Sequence, residues 1–355
     1  MASSRDILLL IFKFLATKFT INFFKAMIMQ VKDPIYVKSE WADLKECVYG
    51  SPDAWVLPKF LADARLRAQG EFGKFWEANA GKDVSVAAPE VFKELSTQIR
   101  KTITILESHG VLVHVAGPIS KKNRLFPRGE DHGVSTPWMR DPFVTIGNNV
   151  IELAPRSLFH RRQRFAIREI LASTMDRGGR YFAQPDSGSD DYVDAPGWGY
   201  LEGGDVFVLG DEILVGHSGG CSNPEGARWL QHALGSKYKV ETVTIDPMFP
   251  HLDCVLMTPR EGVAFACLEA LPEGLPKFML DWDIVNVPKT LAKAHMGCNN
   301  LVLNDRTVLV PEEEPLNFIA NELKLRRFDV LRTPYRVPCM AGGSFRCAHQ
   351  PLVRI

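Results

Sequence analysis

The sequence predicts a closed, radially repeated α/β fold. Three observations carry that reading. Short apolar hairpins recur at 143–151, 206–215, 255–266 and 301–310. Several of them, the second and fourth most clearly, are followed by a helix-period segment and one more apolar strand. A polar cluster precedes each hairpin at the same relative place. Repetition on this scale favours radial repetition over an open doubly wound sheet.

The elements follow in order. Trp41 to Gly50 reads as a strand entering a Gly-Ser-Pro turn. Residues 52–88 show no clear period and read as an excursion over the surface. Pro89 opens a helix in which Leu95, Ile99, Ile103 and Leu106 repeat at helical spacing, with Gly110 at its end. Val111 to Val115 reads as a buried strand. The first hairpin turns at Gly147-Asn148-Asn149, and Arg156 to Ser173 behind it reads as helical and basic on one side. After the second hairpin, Asn223 caps a helix from Pro224 to Leu234, and a strand runs from Tyr238 to Val243. The third hairpin turns at Pro259 to Gly262. After the fourth, Pro315 opens a helix to about Arg326, with a strand at Val330 to Thr333.

Composition bounds the function. A chain of 355 residues with 46% hydrophobic and 24% charged residues is an ordinary globular protein with a sizeable core. With 42 basic and 42 acidic residues it carries no electrostatic footprint for nucleic acid. The seven cysteines are odd in number and form no CxxC pair, which points to a reduced, cytoplasmic setting. His295-x-x-Cys298 is too thin for a zinc site and no GxxxxGK loop occurs, so neither metal nor cofactor is expected.

Residues 1–30 form an apolar segment interrupted by Lys13, Lys18 and Lys25, whose uncharged runs are too short for a membrane span. For residues 5–29 three readings stay open: a basic helix on a membrane surface, a mitochondrial-type leader, or a helix packed on the domain. No linker rich in Pro, Gly or Ser divides residues 31–355, which read as one catalytic domain. Gly188 to Gly199 reads as a loop over one face.

The polar clusters carry the chemistry. Arg140-Asp141 leads into the first hairpin, Glu202-Gly-Gly-Asp205 into the second and His251-Leu-Asp253 into the third. Cys298-Asn299-Asn300 leads into the fourth. Gly342-Gly343 to Cys347 leads into the last apolar segment. If the units are related by rotation, these positions share one cleft. Carboxylates in a cleft suit a guanidinium, the planar cation that hydrogen-bonds them in pairs. Its resonance-protected carbon needs a thiolate as attacking group. On this reading Cys347 is the nucleophile, His251 the acid and base, and Glu202 the group that orients the imidazole.

With these motifs in hand, the chain resembles the guanidino-group-modifying, or pentein, superfamily. Within it the chain is most similar to the arginine amidinotransferases of the glycine and inosamine-phosphate types. Supporting stretches are Glu40-Trp41-x-x-Leu44, Gly147 to Pro155, Gly226 to Gln231 and Leu275 to Trp282. The resemblance runs from about residue 36 to the end. It implies a five-bladed α/β propeller with pseudo-fivefold symmetry. It implies transfer of the amidino group of L-arginine to an amine, with release of ornithine through an amidino-cysteine. Deimination or dihydrolysis of arginine or a methylarginine is the alternative. It further implies that Asp141 and Asp253 grip the guanidinium, with Asp205, Arg140 and Asn299 as further substrate-side contacts. The partners are then an arginine donor and an amine acceptor, with no nucleic acid; a homodimer is left open.

Three departures stand out. Amidinotransferases usually carry Asp where this chain has Glu202, and His where it has Arg346. Leu201-Glu-Gly-Gly-Asp205 looks more like arginine deiminases. No basic residue lies between Arg260 and Lys277, where glycine amidinotransferases have an arginine for the substrate carboxylate. The basic run Arg156, Arg161, Arg162, Arg164 and Arg168 reads as a solvated helix face.

Overall fold

In five of the six sheets the third strand is the least buried, which leaves the buried first strands to carry the site. The computed structural model describes residues 33–59, 70–126, 130–186 and 197–355. The expectations for residues 1–30, and for the loop from Gly188 as far as residue 196, lie outside the described residues.

The chain from Ile35 onward forms one unit. Its strands are β1 Tyr36–Val37, β2 Leu44–Tyr49, β3 Trp55–Val56, β4 Leu112–Val115, β5 Val134–Ser135, β6 Phe143–Ile146, β7 Asn149–Glu152, β8 Arg180–Ala183 and β9 Val206–Leu209. They continue with β10 Glu212–His217, β11 Lys239–Thr244, β12 Leu256–Arg260, β13 Val263–Ala266, β14 Asp283–Asn286, β15 Leu301–Val302, β16 Thr307–Pro311, β17 Asp329–Thr333 and β18 His349–Arg354. Four sheets repeat one order: β6-β7-β8, β9-β10-β11, β12-β13-β14 and β15-β16-β17. In each, an antiparallel hairpin is followed by a crossover to a third strand parallel to the middle one. The same order is built a fifth time from both ends of this unit. β18 pairs antiparallel with β2, and β2 pairs parallel with β4 beyond the helix Pro89–Ser108. β1 adds to the free edge of β18, and β3 pairs with β5 apart from the rest.

The first strands β6, β9 and β18 are buried at every position. The third strands β4 and β8 are mostly half-buried or exposed. Hydrogen-bonded edges and water therefore lie on one side of each unit, and the apolar interior on the other. The hairpin expectations match these strands closely, because a glycine with positive φ, Gly147, Gly210 or Gly262, sits at the turn. The helix Pro224–Leu234 starts at Asn223, whose side chain accepts from the Gly226 N–H.

Four expectations are corrected. The strand at Val111 to Val115 is not buried: Leu112 is 38% and Val115 46% exposed, because β4 is an outer edge. Residues 52–88 are not a surface excursion throughout. Trp55, Leu57, Trp76 and Val84 join the core beneath the helix Pro89–Ser108. Arg156 to Ser173 is not one helix but short pieces at Leu158–Arg161, Arg162–Ala166 and Arg168–Ser173. Nor is its basic run a solvated face. Arg156, Arg161, Arg162 and Arg164 are buried. Arg164 and Arg168 pair with Glu152, and Arg161 and Arg164 with Asp186. Buried arginines need such partners, since an uncompensated charge is costly in the interior.

Candidate active site

Each first strand is entered through a short segment carrying one polar cluster, and these five segments are hydrogen-bonded in a circle. Gly203 N–H donates to the Asp141 carbonyl at 3.2 Å. Leu252 N–H donates to Asp205 Oδ1 at 2.9 Å. Asn299 Nδ2 donates to the Asp253 carbonyl at 3.2 Å, and Cys347 N–H to Asn299 Oδ1 at 3.1 Å. Arg140 N–H donates to the Cys347 carbonyl at 3.0 Å and returns the circle to its start.

Within the circle Cys347 sits on the turn Phe345–Ala348, just before β18. Gly342 has φ +96°, and a side chain at Gly343 would run into the Trp138 ring, so the approach to the cysteine needs both glycines. The Cys347 thiol donates to Asp253 Oδ2 at 3.7 Å. Burial, with the charges of Asp253 and Asp141, pushes this thiol well up from its usual range. At rest it is a protonated thiol.

His251 Nε2 lies 2.6 Å from Glu202 Oε2 and 3.8 Å from Asp141 Oδ1. Burial works against the imidazolium, but Asp141, the neighbouring Cys221 and the bond to Glu202 outweigh it and raise His251 well above the usual histidine range. Burial works against the Glu202 carboxylate too, and the His251 bond outweighs it, bringing Glu202 down to about 2. The pair is thus a buried imidazolium beside a carboxylate. The second oxygen of Glu202 accepts from the Arg156 N–H at 3.1 Å, which fixes its plane. Gly204 lets the imidazole come close: a Cβ there would lie 2.7 Å from His251 Cγ.

Asp205 accepts backbone N–H groups on both oxygens, from Leu252 and from Ser222 at 3.2 Å. Burial nevertheless pushes its carboxyl up to about 7. Arg140, expected on the substrate side, turns its guanidinium away to Glu40 at 3.2 Å and to the carbonyls of Gly203 and Val206. A cation so placed supports the circle, and would repel a guanidinium rather than hold it.

Four residues at the site escape the sequence reasoning. Glu40 spans two arginines, accepting from Arg140 and from Arg346 at 3.0 Å. Arg346 also donates to Asp253 Oδ2 at 3.1 Å and lies over the Phe207 ring at 3.8 Å. His160 sits 3.5 Å from Asp141 Oδ2, its ring 6.4 Å from that of His251. Cys221 lies beside Glu202 and His251. Glu40 stands in a quoted stretch and Arg346 was noted as a departure. His160 and Cys221 carry no spacing that marks them. Two donor groups here could hold an ion, Glu202 with Cys221 and His251, and Asp141 with His160 and Glu202.

No protein-family model matches the sequence. The chain is 24% identical over 351 residues to the L-arginine:L-lysine amidinotransferase of Pseudomonas savastanoi pv. phaseolicola, covering 89% of this chain and 93% of that protein. It is 25% identical over 340 residues to inosamine-phosphate amidinotransferase 1 of Streptomyces griseus, covering 88% and 95%. The solved structure of that Streptomyces enzyme superposes with TM-score 0.74 and 20% identity over 91% of this chain and 97% of the other. The chain is an enzyme similar to the amidinotransferases and shares their fold. It also superposes, at TM-score 0.62 and 14% identity, on the N-terminal domain of ArgZ, an arginine dihydrolase from cyanobacteria, over 88% of this chain and 98% of that one. Among the described residues of this amidinotransferase-like chain, no helix is long and apolar enough to cross a membrane.

Proposed function

We propose that the protein moves the amidino group of L-arginine to an amine acceptor and releases ornithine, through an amidino-cysteine at Cys347. The observation that carries this reading is one buried cluster holding a thiol beside two carboxylates and a charged His–Glu pair. That is the set of groups needed to bind a guanidinium, attack its carbon and protonate its leaving nitrogen. The circle of five hydrogen-bonded segments supports the further reading that the five sheets stand around one axis as a five-bladed propeller.

The donor guanidinium lies against Asp141 and Asp253 and offsets their charge on the sulfur. That offsets the field holding Cys347 protonated, so the thiol proton passes to solvent as the donor binds and leaves the thiolate. The thiolate attacks the guanidinium carbon. His251 gives its proton to the departing δ-nitrogen, the C–N bond breaks, and ornithine leaves with a neutral amine. The amidino carbon stays on sulfur as a cation against the same carboxylates. An acceptor amine then attacks, neutral His251 takes its proton, and the C–S bond breaks to return the thiolate. Glu202 orients and charges His251 in both halves. Asn299, Asp205 and Arg140 hold the segments that carry the reacting groups. Water in place of the amine would make the protein a dihydrolase or deiminase. The Glu202 departure and the superposition on ArgZ favour keeping that second reading.

The deciding experiment uses arginine labelled in the guanidino group, with and without glycine, lysine or hydroxylamine. Ornithine that forms only with an amine present, with label moving to that amine, supports transfer. Citrulline and ammonia from arginine alone would establish hydrolysis instead.

A further inference from the structure

The loop between β10 and the helix Pro224–Leu234 carries Cys221, a buried thiol that the transfer reaction does not use. One donor atom each from Glu202, Cys221 and His251 lie within 4.8 Å of one another. The loop is fixed on both sides of the thiol. Ser222 N–H donates to Asp205 Oδ2 at 3.2 Å, and Ser222 Oγ accepts from the Glu202 N–H at 3.0 Å. Arg156 Nη1 donates to the Gly219 carbonyl at 2.8 Å.

A thiolate, an imidazole and a carboxylate are the ligand types that zinc-like ions select. Tetrahedral zinc, with bonds of about 2.0–2.3 Å, sets its ligand atoms roughly 3.3–3.8 Å apart. The 2.6 Å contact between His251 and Glu202 has only to widen modestly to meet that spacing. The carboxylate already carries an outer support, since its other oxygen accepts from Arg156 N–H, as metal-bound carboxylates do.

We propose that Glu202, Cys221 and His251 bind a zinc-class divalent ion, and that the ion holds the enzyme in a reversibly inactive form. The ion displaces one proton from the Cys221 thiol and one from the His251 imidazolium, both to solvent, and bonds to sulfur, to the freed imidazole nitrogen and to the carboxylate. Thiolate and carboxylate together balance its two charges. His251 is then a neutral, metal-bound imidazole whose acidic proton has already left and whose bonded nitrogen has no lone pair to accept one, while Cys347 stays free. The inactivation rests on the transfer reading; the binding does not.

Cobalt(II) is titrated into the intact protein and into its Cys347→Ser and Cys221→Ser variants. The expected result is a thiolate-to-cobalt charge-transfer band in the first two, displaced by Zn2+, and no band in Cys221→Ser. Cys221→Ala repeats the measurement should the serine variant not fold. A band that survives without Cys221 and vanishes without Cys347 places the ion on the nucleophile and overturns the proposal. So does the lack of any band in the intact protein. Turnover gives the second arm, each protein being referred to its own rate in EDTA. The Zn2+ concentration for half-inhibition rises at least tenfold in Cys221→Ser; an unchanged value overturns the inactivation. Because the cobalt band needs no turnover, the metal site and the transfer reaction fail separately.

Discussion

Arg346 donates to Asp253 Oδ2 at 3.1 Å, so the carboxylate nearest the Cys347 thiol already carries a guanidinium of the protein itself. Both residues are buried, and Glu40 holds the other face of Arg346. Replacing Arg346 with Ala leaves the buried Asp253 without its cation and Glu40 with Arg140 alone. The expected loss is about 3–5 kcal/mol, read as a lower urea midpoint. Arg346→Lys keeps the charge but not the two-pronged geometry, and should fall between. An unchanged midpoint in the alanine variant would mean that the cluster adds nothing to stability.

Cys347→Ser should lower turnover by at least roughly 10³-fold, because a serine hydroxyl is a poor nucleophile toward a guanidinium. Its circular dichroism and melting should match those of the parent. Ornithine formation within a few per cent of the parent rate would remove Cys347 from its role.

The charge around the thiol can be read by alkylation. Asp141 and Asp253 should favour a cationic reagent over a neutral one of the same shape. Chloroacetamidine should therefore label Cys347 about 10-fold or more faster than chloroacetamide, given a charge a few ångströms away in a medium of intermediate polarity. Asp141→Asn should shrink that ratio. Equal rates for the two reagents in the parent protein would refute an anionic thiol pocket.

Acid should weaken the fold through Glu40. Burial alone would raise this carboxyl, but Arg346 and Arg140 outweigh it and bring it from 4.5 down to about 2. A carboxyl lowered in the folded state stabilises it above the unfolded value of 4.5, and that stability is lost as pH falls toward 2. Denaturant midpoints measured between pH 6 and pH 3 should thus fall less steeply in Glu40→Gln than in the parent, from a lower start. Parallel curves would show that Glu40 titrates as it does in the unfolded chain.

How much of this was legible in the sequence follows from what each residue answers to. Hairpins were legible because strand period and turn glycines are local, as at Gly147 and Gly262. The polar clusters were legible because each sits just ahead of a buried strand. Edge strand β4 was not, since Val111 to Val115 has the composition of a buried strand and only its missing neighbour exposes it. The burial of the arginines is illegible in the sequence for a similar reason. Their acids, Glu152 and Asp186, lie in other elements, and a basic run looks the same with or without them. Arg140 reads as a substrate contact in the sequence because its partner Glu40 lies far away in the chain. Cys221 carries no pattern at all; the bonds from Ser222 to Asp205 and Glu202 bring its loop to the site.

The pairing of β18 with β2 ties the site to a contact between distant parts of the sequence. His349 faces Tyr49, joining residues from opposite ends of the described unit, and Cys347 stands two positions before that contact. Bringing such distant segments together incurs a loop-closure entropy that no local contact offsets beforehand, and contacts of this separation slow folding. Intermediates in which the four sequence-local sheets have formed would still lack a completed thiol environment. The surroundings of Cys347 are thus complete only when the two ends of the described unit have met.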